Sequence, residues 1–386
     1  MKLVVDDKIN ECRIDYNHWV QLIENRKTQI LSKRNVASTI ASCFSVDNLL
    51  SPITYYGKAA LNLIWQIDRE LQNEIKQHNP NLIKSQIKKH AIGWDDDLKK
   101  VDFKTDSLQK KFEEVKQLWY TFETEISKLT NFQVPRYVLG PTYRNSEIVE
   151  RHLITMADCG KRMLGALAYL KVFLKNGNVC LGLLSCKTRV RNTITIAKGE
   201  LLSLLDSVVL ANKIQNTLGI SKENTFHFSD SSIAVFQVYR ANRMGTTSMK
   251  QFVGPTCQKI LTGVHNVSHV RYIKGGGPEF NKADLLASGG VKGDLNDEYF
   301  YGPKIFRQPQ LPNFDHYLPT SYNKEDNEEE HEETTSLPAV TNFESDTVDK
   351  ILKLHHSVTK TYRIFAWVLT FIMRITTKYA KRTQHL

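Results

Sequence analysis

Four acidic residues stand where they could act on one substrate. Two of them end short strand-like runs, Leu153-Ile-Thr-Met-Ala-Asp158 and Thr225-Phe-His-Phe-Ser-Asp230. A third is in Lys198-Gly-Glu200, at the opening of a long apolar helix pattern, and the last closes Asn281-Lys-Ala-Asp284. Carboxylates are hard oxygen ligands suited to Mg²⁺, which demands near-octahedral geometry and keeps part of its water. Four gathered at one edge of a sheet can hold two such ions, and a metal pair stabilises the attacking and leaving oxygens of a phosphodiester displacement. Each acid also has a plainer explanation. Glu200 sits where a helix dipole favours negative charge. Asp230, before Ser231-Ser232, could cap the helix that follows, and Asp284 could cap the last helix. Singly, the plain explanations prevail; the order of all four on this strand pattern favours a site.

The other chemistry-bearing residues are less specific. Lys187 and Arg189 close a strand and could contact backbone phosphates, although such a pair also suits a solvated face. His152, His265 and His269 lie on or near strands, where histidines are more often structural than proton shuttles. His355-His356 lacks companion cysteines for zinc, and the six cysteines show no CxxC pair. They point to reduced thiols in an intracellular protein, cytoplasmic or nuclear, and the N-terminus has no signal-peptide pattern. Gly275-Gly-Gly277 is not followed by Lys-Ser/Thr and reads as a flexible loop. No Asp-Thr/Ser-Gly triplet occurs, which argues against an aspartic protease. Val5-Asp6-Asp7 pairs two acids in the manner of a polymerase but lacks a surrounding hairpin signal.

Residues 1–30 are mixed and give no assignment. From Asn35 a helical period places Val36, Ile40, Cys43 and Phe44 together. Ser51-Pro52 can start a second helix, with Leu61, Ile64, Trp65 and Ile67 on its apolar face. After Gly93-Trp-Asp-Asp-Asp97 a third helix carries Phe112, Val115, Trp119, Phe122, Ile126 and Leu129, and must end before Pro135. Residues 31–136 thus read as a helical domain. In residues 137–303, strands are expected over 148–158, 164–173 and 179–189, with Asn176-Gly177 as a tight turn inside an antiparallel meander. A helix over 196–218 presents Leu201, Leu204, Leu205, Val208 and Val209 and closes at Gly219. Then follow a strand over 225–229, a helix capped by Ser231-Ser232 and running through Tyr239, a helix over 252–261, a strand over 267–273 and a last helix after Lys282.

Residues 320–345 carry a run of seven acids between Glu325 and Glu333 and read as a disordered linker. Residues 346–380 read as an amphipathic helix whose apolar stripe, Ile351 to Ile375, should dock on a surface. Its most apolar stretch, Ile364 to Met373, is about half a membrane span, so no membrane partner is expected. Net charge is +11, and without the acidic run the remainder carries +18, seven more than the whole chain. A basic body suits a polyanion such as nucleic acid.

A set of motifs then stands in order: Lys33-Arg-Asn-Val-Ala-Ser-Thr-Ile-Ala-Ser42, Leu49-Leu-Ser-Pro52, Gly93-Trp-Asp-Asp96, Val134-Pro-Arg-Tyr137, Cys186-Lys-Thr-Arg-Val190, Gly199-Glu-Leu201, Ser229-Asp-Ser-Ser232, Val270-Arg-Tyr-Ile273 and Ala283-Asp284. Over about residues 31–303 the chain resembles the polyprotein of BEL/Pao-type LTR retrotransposons, in the connection region and the ribonuclease H-like domain downstream of the reverse transcriptase. It departs from that pattern at Phe44-Ser-Val-Asp-Asn48, where the family reads Phe-Asp-Pro-Leu-Gly. Cys159-Gly160 replaces Ala-Ser after the first acid, and Ser288-Gly289-Gly290 lacks the family's arginine. The resemblance implies an α+β fold: a helical region, a ribonuclease H-like mixed five-stranded sheet in the order βββαβαβα, and a C-terminal helix. It also implies hydrolysis of RNA in RNA–DNA hybrids, with Mg²⁺, or Mn²⁺ in its place, held by Asp158, Glu200, Asp230 and Asp284. A reverse transcriptase domain of the same polyprotein would be a partner. The alternative is a catalytically inactive, nucleic-acid-binding remnant or scaffold.

Overall fold

The computed structural model describes residues 2–314, apart from 7–10, 27–28, 44–47, 82–91, 136–137, 140–146, 192–193 and the single positions 102, 104, 248, 276 and 278. The acidic linker and the C-terminal helix expected from the sequence lie outside the described residues.

Residues 1–30 hold more structure than their pattern signals. Strand β1 (Lys2–Asp6) pairs antiparallel with β2 (Glu11–Asp15), and β2 pairs with β3 (Gln133–Pro135) through Ile14↔Val134. A hairpin does therefore flank Val5-Asp6, contrary to expectation. Helix α1 (Asn17–Arg26) follows and buries Trp19, Val20 and Ile23.

Helices α2 (Lys33–Ser42), α3 (Ser51–His78) and α4 (Asp106–Ser127) form where the apolar period places them. Ser32 and Thr105 cap α2 and α4 by accepting from Asn35 N–H and Leu108 N–H, and Pro52 stands in the first turn of α3, where its missing N–H costs nothing. Between them, Val36, Leu63, Ile64, Ile67, Phe112 and Val115 build one core. Lys33 and Asp68 enter that core as a pair at 2.7 Å; Lys33 also donates to Ile92 O at 2.7 Å, and Asp68 accepts from Ile92 N–H at 3.2 Å. Buried charge is tolerated there because it is both paired and hydrogen-bonded. Trp65 departs from the expected apolar face. One residue turns a helix by about 100°, so with Ile64 inward Trp65 lies 37% exposed, edge-on to Trp94 at 5.5 Å.

The larger sheet has the order β6 (Val179–Val190), β5 (Met163–Leu174), β4 (Ile148–Cys159), β7 (Thr225–Ser229) and β8 (Val270–Tyr272). β4, β5 and β6 form the antiparallel meander, turned at Asn176-Gly177, where Asn178 N–H donates to Asn176 Oδ1 at 3.0 Å. α5 (Ile196–Leu218) crosses to β7, which pairs parallel with β4, and its left-handed cap is Gly219. α6 (Ser232–Met244) and α7 (Val253–Gly263) then lead to β8, parallel to β7. β8 is shorter than the expected 267–273, because Asn266 caps a 3₁₀ turn over Val267–His269. α8 (Asp284–Ala287) is a single turn in place of the expected last helix: Gly289 takes φ 92° and Gly290 N–H donates to Pro52 O, which ends it. α9 is Asp297–Phe300.

Both faces of the sheet are covered, which is why its strands read as near-continuous apolar runs. On one face Ala157, Leu201, Leu204, Val208, Val235 and Ile260 pack α5, α6 and α7 against the strands. On the other, Met156, Leu167 and Phe228 meet Leu50, Ile53 and Phe122 of the helical region, together with Leu286, Tyr299 and Phe306. Tyr299 fastens the layers, donating from its hydroxyl to Leu49 O at 2.7 Å while its carbonyl accepts from Tyr169 at 2.8 Å. The architecture is α+β with a ribonuclease H-like sheet, as the resemblance implies.

Candidate metal centre

The parallel register of β4 and β7 makes Ala157 and Ser229 partners, so the residue after each, Asp158 and Asp230, leaves the same end of the sheet side by side. α5 brings Glu200 to them from its second turn. Its start fits close against β4: a Cβ on Gly199 would lie 2.3 Å from Cys159 Sγ, so a larger residue there would require the Cys159 side chain to move. One oxygen each of Asp158, Glu200 and Asp230 lie within 4.8 Å of one another.

Asp284 arrives by another close packing. A Cβ on Gly160 would fall 2.2 Å from Ala287 O, and one on Gly165 would fall 2.6 Å from Leu286 Cβ and 2.8 Å from Ala283 O. The two glycines let α8 rest on the β4–β5 hairpin. Buried Asn281 pins it from the other side, donating to Ala157 O at 3.0 Å and accepting from Ala283 N–H at 3.1 Å. Asp284 thereby raises the pKa of both Asp158 and Asp230 by its charge, and it shares a hydrogen bond with Asp158. It stands beside the other three without joining their tight group.

The helix-capping explanations do not account for these acids. Thr195 caps α5 and Ser231 caps α6 through their side chains, while α8 has no side-chain cap and Asp284 is its first residue. Ser231 Oγ accepts from Ala234 N–H at 3.2 Å, the role that Asp230 would otherwise have had.

Electrostatically the cluster is short of positive charge. Burial, then Asp230 and Asp284, push the Asp158 carboxyl up to about 7. Burial, then Asp158 and Asp230, push Glu200 up to about 9. Asp230 is also raised, chiefly by burial, with Asn281 hydrogen-bonding it and partly offsetting the rise. Glu200 Oε2 is buried without a hydrogen-bond partner. Among the described residues no lysine or arginine forms an ion pair with any of the four. An all-oxygen donor set of crowded, unpaired carboxylates fits a hard divalent cation such as Mg²⁺ or Mn²⁺.

Lys187 and Arg189 are not brought to the acids. They lie on β6, beyond β5 from Asp158, and both pair with Asp206 of α5, at 2.7 and 2.9 Å. His152 and His269 sit at the far end of the strands: His152 meets Glu150 at 2.6 Å, and His269 Nδ1 lies 2.9 Å from Thr225 O. Two further polar residues carry no local signal in the sequence. Asn281 buttresses the centre, and His227, buried and pushed down to about 3, bonds Thr155 at 2.8 Å across β4 and β7.

Residues 81–231 match the family model of the Pao retrotransposon-like RNaseH-like domain. The matched segment contains Asp158 and Glu200 and ends just past Asp230; Asp284 lies beyond it. The match supports a fragment of a Pao/BEL retrotransposon polyprotein, with the nucleic-acid-binding character that such a domain suggests. No curated protein matches the chain. Among the described residues no helix is long and apolar enough to cross a membrane.

Proposed function

We propose that the chain is a ribonuclease H-type endonuclease that hydrolyses the RNA strand of RNA–DNA hybrids, working beside a reverse transcriptase domain of its polyprotein. The observation that carries this reading is the convergence of Asp158, Glu200 and Asp230, with Asp284 alongside, at one end of the β4–β7 pair. Asp158, Glu200, Asp230 and Asp284 would hold the ions. When bound, Mg²⁺ or Mn²⁺ supplies positive charge that makes water a nucleophile at neutral pH and stabilises the leaving 3′ oxygen. The protein's own part is to hold the carboxylates rigidly before the ion arrives, through the Gly160, Gly165 and Gly199 contacts and Asn281. Glu200 is half-buried beside Cys159 with its Oε2 buried and unpartnered, so that its charge is poorly solvated until a cation meets it.

The test is hybrid cleavage in Mg²⁺ by the parent and by Asp158→Asn. Removing outer-shell partners of a metal typically costs roughly 10–100-fold, so loss of this ligand should exceed that range. Equal cleavage by both proteins, or none by either, removes the proposal. The competing reading, a basic scaffold that binds hybrids without cutting them, rests on the +18 carried outside the acidic run. It predicts salt-dependent binding with no Mg²⁺-dependent product.

A further inference from the structure

Beside the carboxylates, where the helical region meets the β4–β5 turn, lies a polar cavity of about 470 Å³. One wall is α3, which presents Asn62, Gln66, Arg69 and Asn73 to it. Their spacing of four, three and four puts them on a single stripe of the helix. The other wall is built by Lys161 and Arg191 from the ends of the meander, with Arg162 beside them.

The balance of charge in this groove is decided by which groups are already matched. Arg162 is taken up by Glu114, and Glu70, the groove's acid, is held by Lys111, with one oxygen at 2.6 Å. Arg191 is a positioned cation: its Nε and Nη2 donate to Lys161 O at 2.9 and 2.8 Å, and Nη1 to Ile194 O at 2.8 Å, all neutral acceptors. Arg69 and Lys161 are exposed and form no ion pair among the described residues. Three cations therefore remain uncompensated, among amide side chains that can hydrogen-bond.

The groove also runs up to the acids. Lys161 follows Asp158 by three residues in the turn that leaves β4. Arg191 Cδ lies 3.4 Å from the place of a Cβ on Gly199, next to Glu200. Uncompensated Arg and Lys with Asn and Gln are the side chains that contact phosphate and sugar without reading bases. We infer that this groove is the track of a nucleic-acid strand: Arg69 of α3 and Lys161 and Arg191 of the sheet grip successive backbone phosphates as the strand leaves the carboxylate cluster. The helical region is then part of the substrate site. Lys187 and Arg189, which the sequence nominates for phosphate contact, instead bind Asp206.

The inference rests on the proposed nuclease reading for its direction from the acids, so the two are separated by measuring binding alone. The probe is a fluorescein-labelled RNA–DNA hybrid of about 20 base pairs in EDTA. It is titrated with full-length Asp158→Asn, with the same protein carrying Arg69→Glu and Lys161→Glu, and with a matched control carrying Lys213→Glu and Lys259→Glu. Each neutralised phosphate contributes about 0.9 to the slope of log K against log salt. The groove variant should lose at least tenfold in affinity and about two from that slope, while the control changes little. Thermal unfolding checks that each variant is folded. Equal losses in groove variant and control would mean that net charge alone attracts the hybrid, and unchanged binding by the groove variant would place the track elsewhere; either overturns the inference. If the groove variant weakens as expected while the parent never cuts the hybrid, the track stands and the nuclease reading falls.

Discussion

At the scale of single residues, the carboxylates should make the metal-free protein sensitive to alkali. Asp158 and Glu200 have folded-state pKa values raised to about 7 and about 9, from ordinary values of 3.8 and 4.5. Between pH 4 and 9 the folded chain thus holds more protons than the unfolded one, so stability falls as pH rises through that window. Glu200→Gln removes the cost. We expect it to raise the unfolding free energy at pH 8 in EDTA by an amount on the order of 1–3 kcal/mol, a discounted share of the full shift, and to change little at pH 4. Added Mg²⁺ should stabilise the parent at pH 8 more than the variant. Thermal melts at the two pH values, with and without Mg²⁺, decide it: a variant less stable than the parent at pH 8 in EDTA would show that Glu200 is held by partners other than a cation.

At the scale of elements, the position of α8 depends on the absence of a side chain at Gly165. A methyl group there would meet Leu286 Cβ at 2.6 Å and Ala283 O at 2.8 Å, and the backbone atom cannot yield as a flexible side chain does. Overpacking of this kind costs about 1–3 kcal/mol. Gly165→Ala should therefore lower stability in denaturant unfolding, push α8 off the hairpin and weaken Mn²⁺ binding by withdrawing Asp284. Unchanged Mn²⁺ affinity with normal stability would mean that α8 is not fixed by this contact. Within the helical region, Asp68→Ala leaves the Lys33 ammonium buried without its 2.7 Å partner. Breaking such a pair costs about 3–5 kcal/mol, and a loss below 1 kcal/mol in the same unfolding measurement would contradict the burial described for Lys33.

At the scale of the whole molecule, the helical region and the sheet share a core. Trp19, Leu50, Ile53 and Phe122 cover the face that carries Met156, Leu167 and Phe228. Lys58 also crosses between them, donating to Thr188 Oγ1 at 2.8 Å. A protein consisting of residues 137–314 alone would present that apolar face to water. Large exposed apolar patches drive association, so this piece should be insoluble or bind a hydrophobic dye, while residues 1–314 should unfold in one transition. A monomeric, cooperatively folded 137–314 would show that the two regions are energetically independent.

What the sequence alone determined was local. The period of apolar residues placed α2 to α5, Ser231-Ser232 marked the start of α6, the turn at Asn176-Gly177 fixed the meander, and Gly219 ended α5, because each of these is set by neighbours within a few positions. The order of the acids was legible for the same reason: two of them end strands and one starts a helix. The hairpin β1–β2 was not legible, since part of its pairing is to Val134, more than a hundred residues away. Trp65 was misplaced because an aromatic at helical spacing can pack on another ring at the surface as well as in a core. The tertiary structure decided the rest. The parallel register of β4 with β7 set Asp158 beside Asp230, and three glycine contacts let α5 and α8 carry Glu200 and Asp284 to them. It also paired Lys187 and Arg189 with Asp206 of α5. Charge in a sequence gives the sign of an attraction, but only packing decides which cations are already spent on a carboxylate and which remain for a substrate.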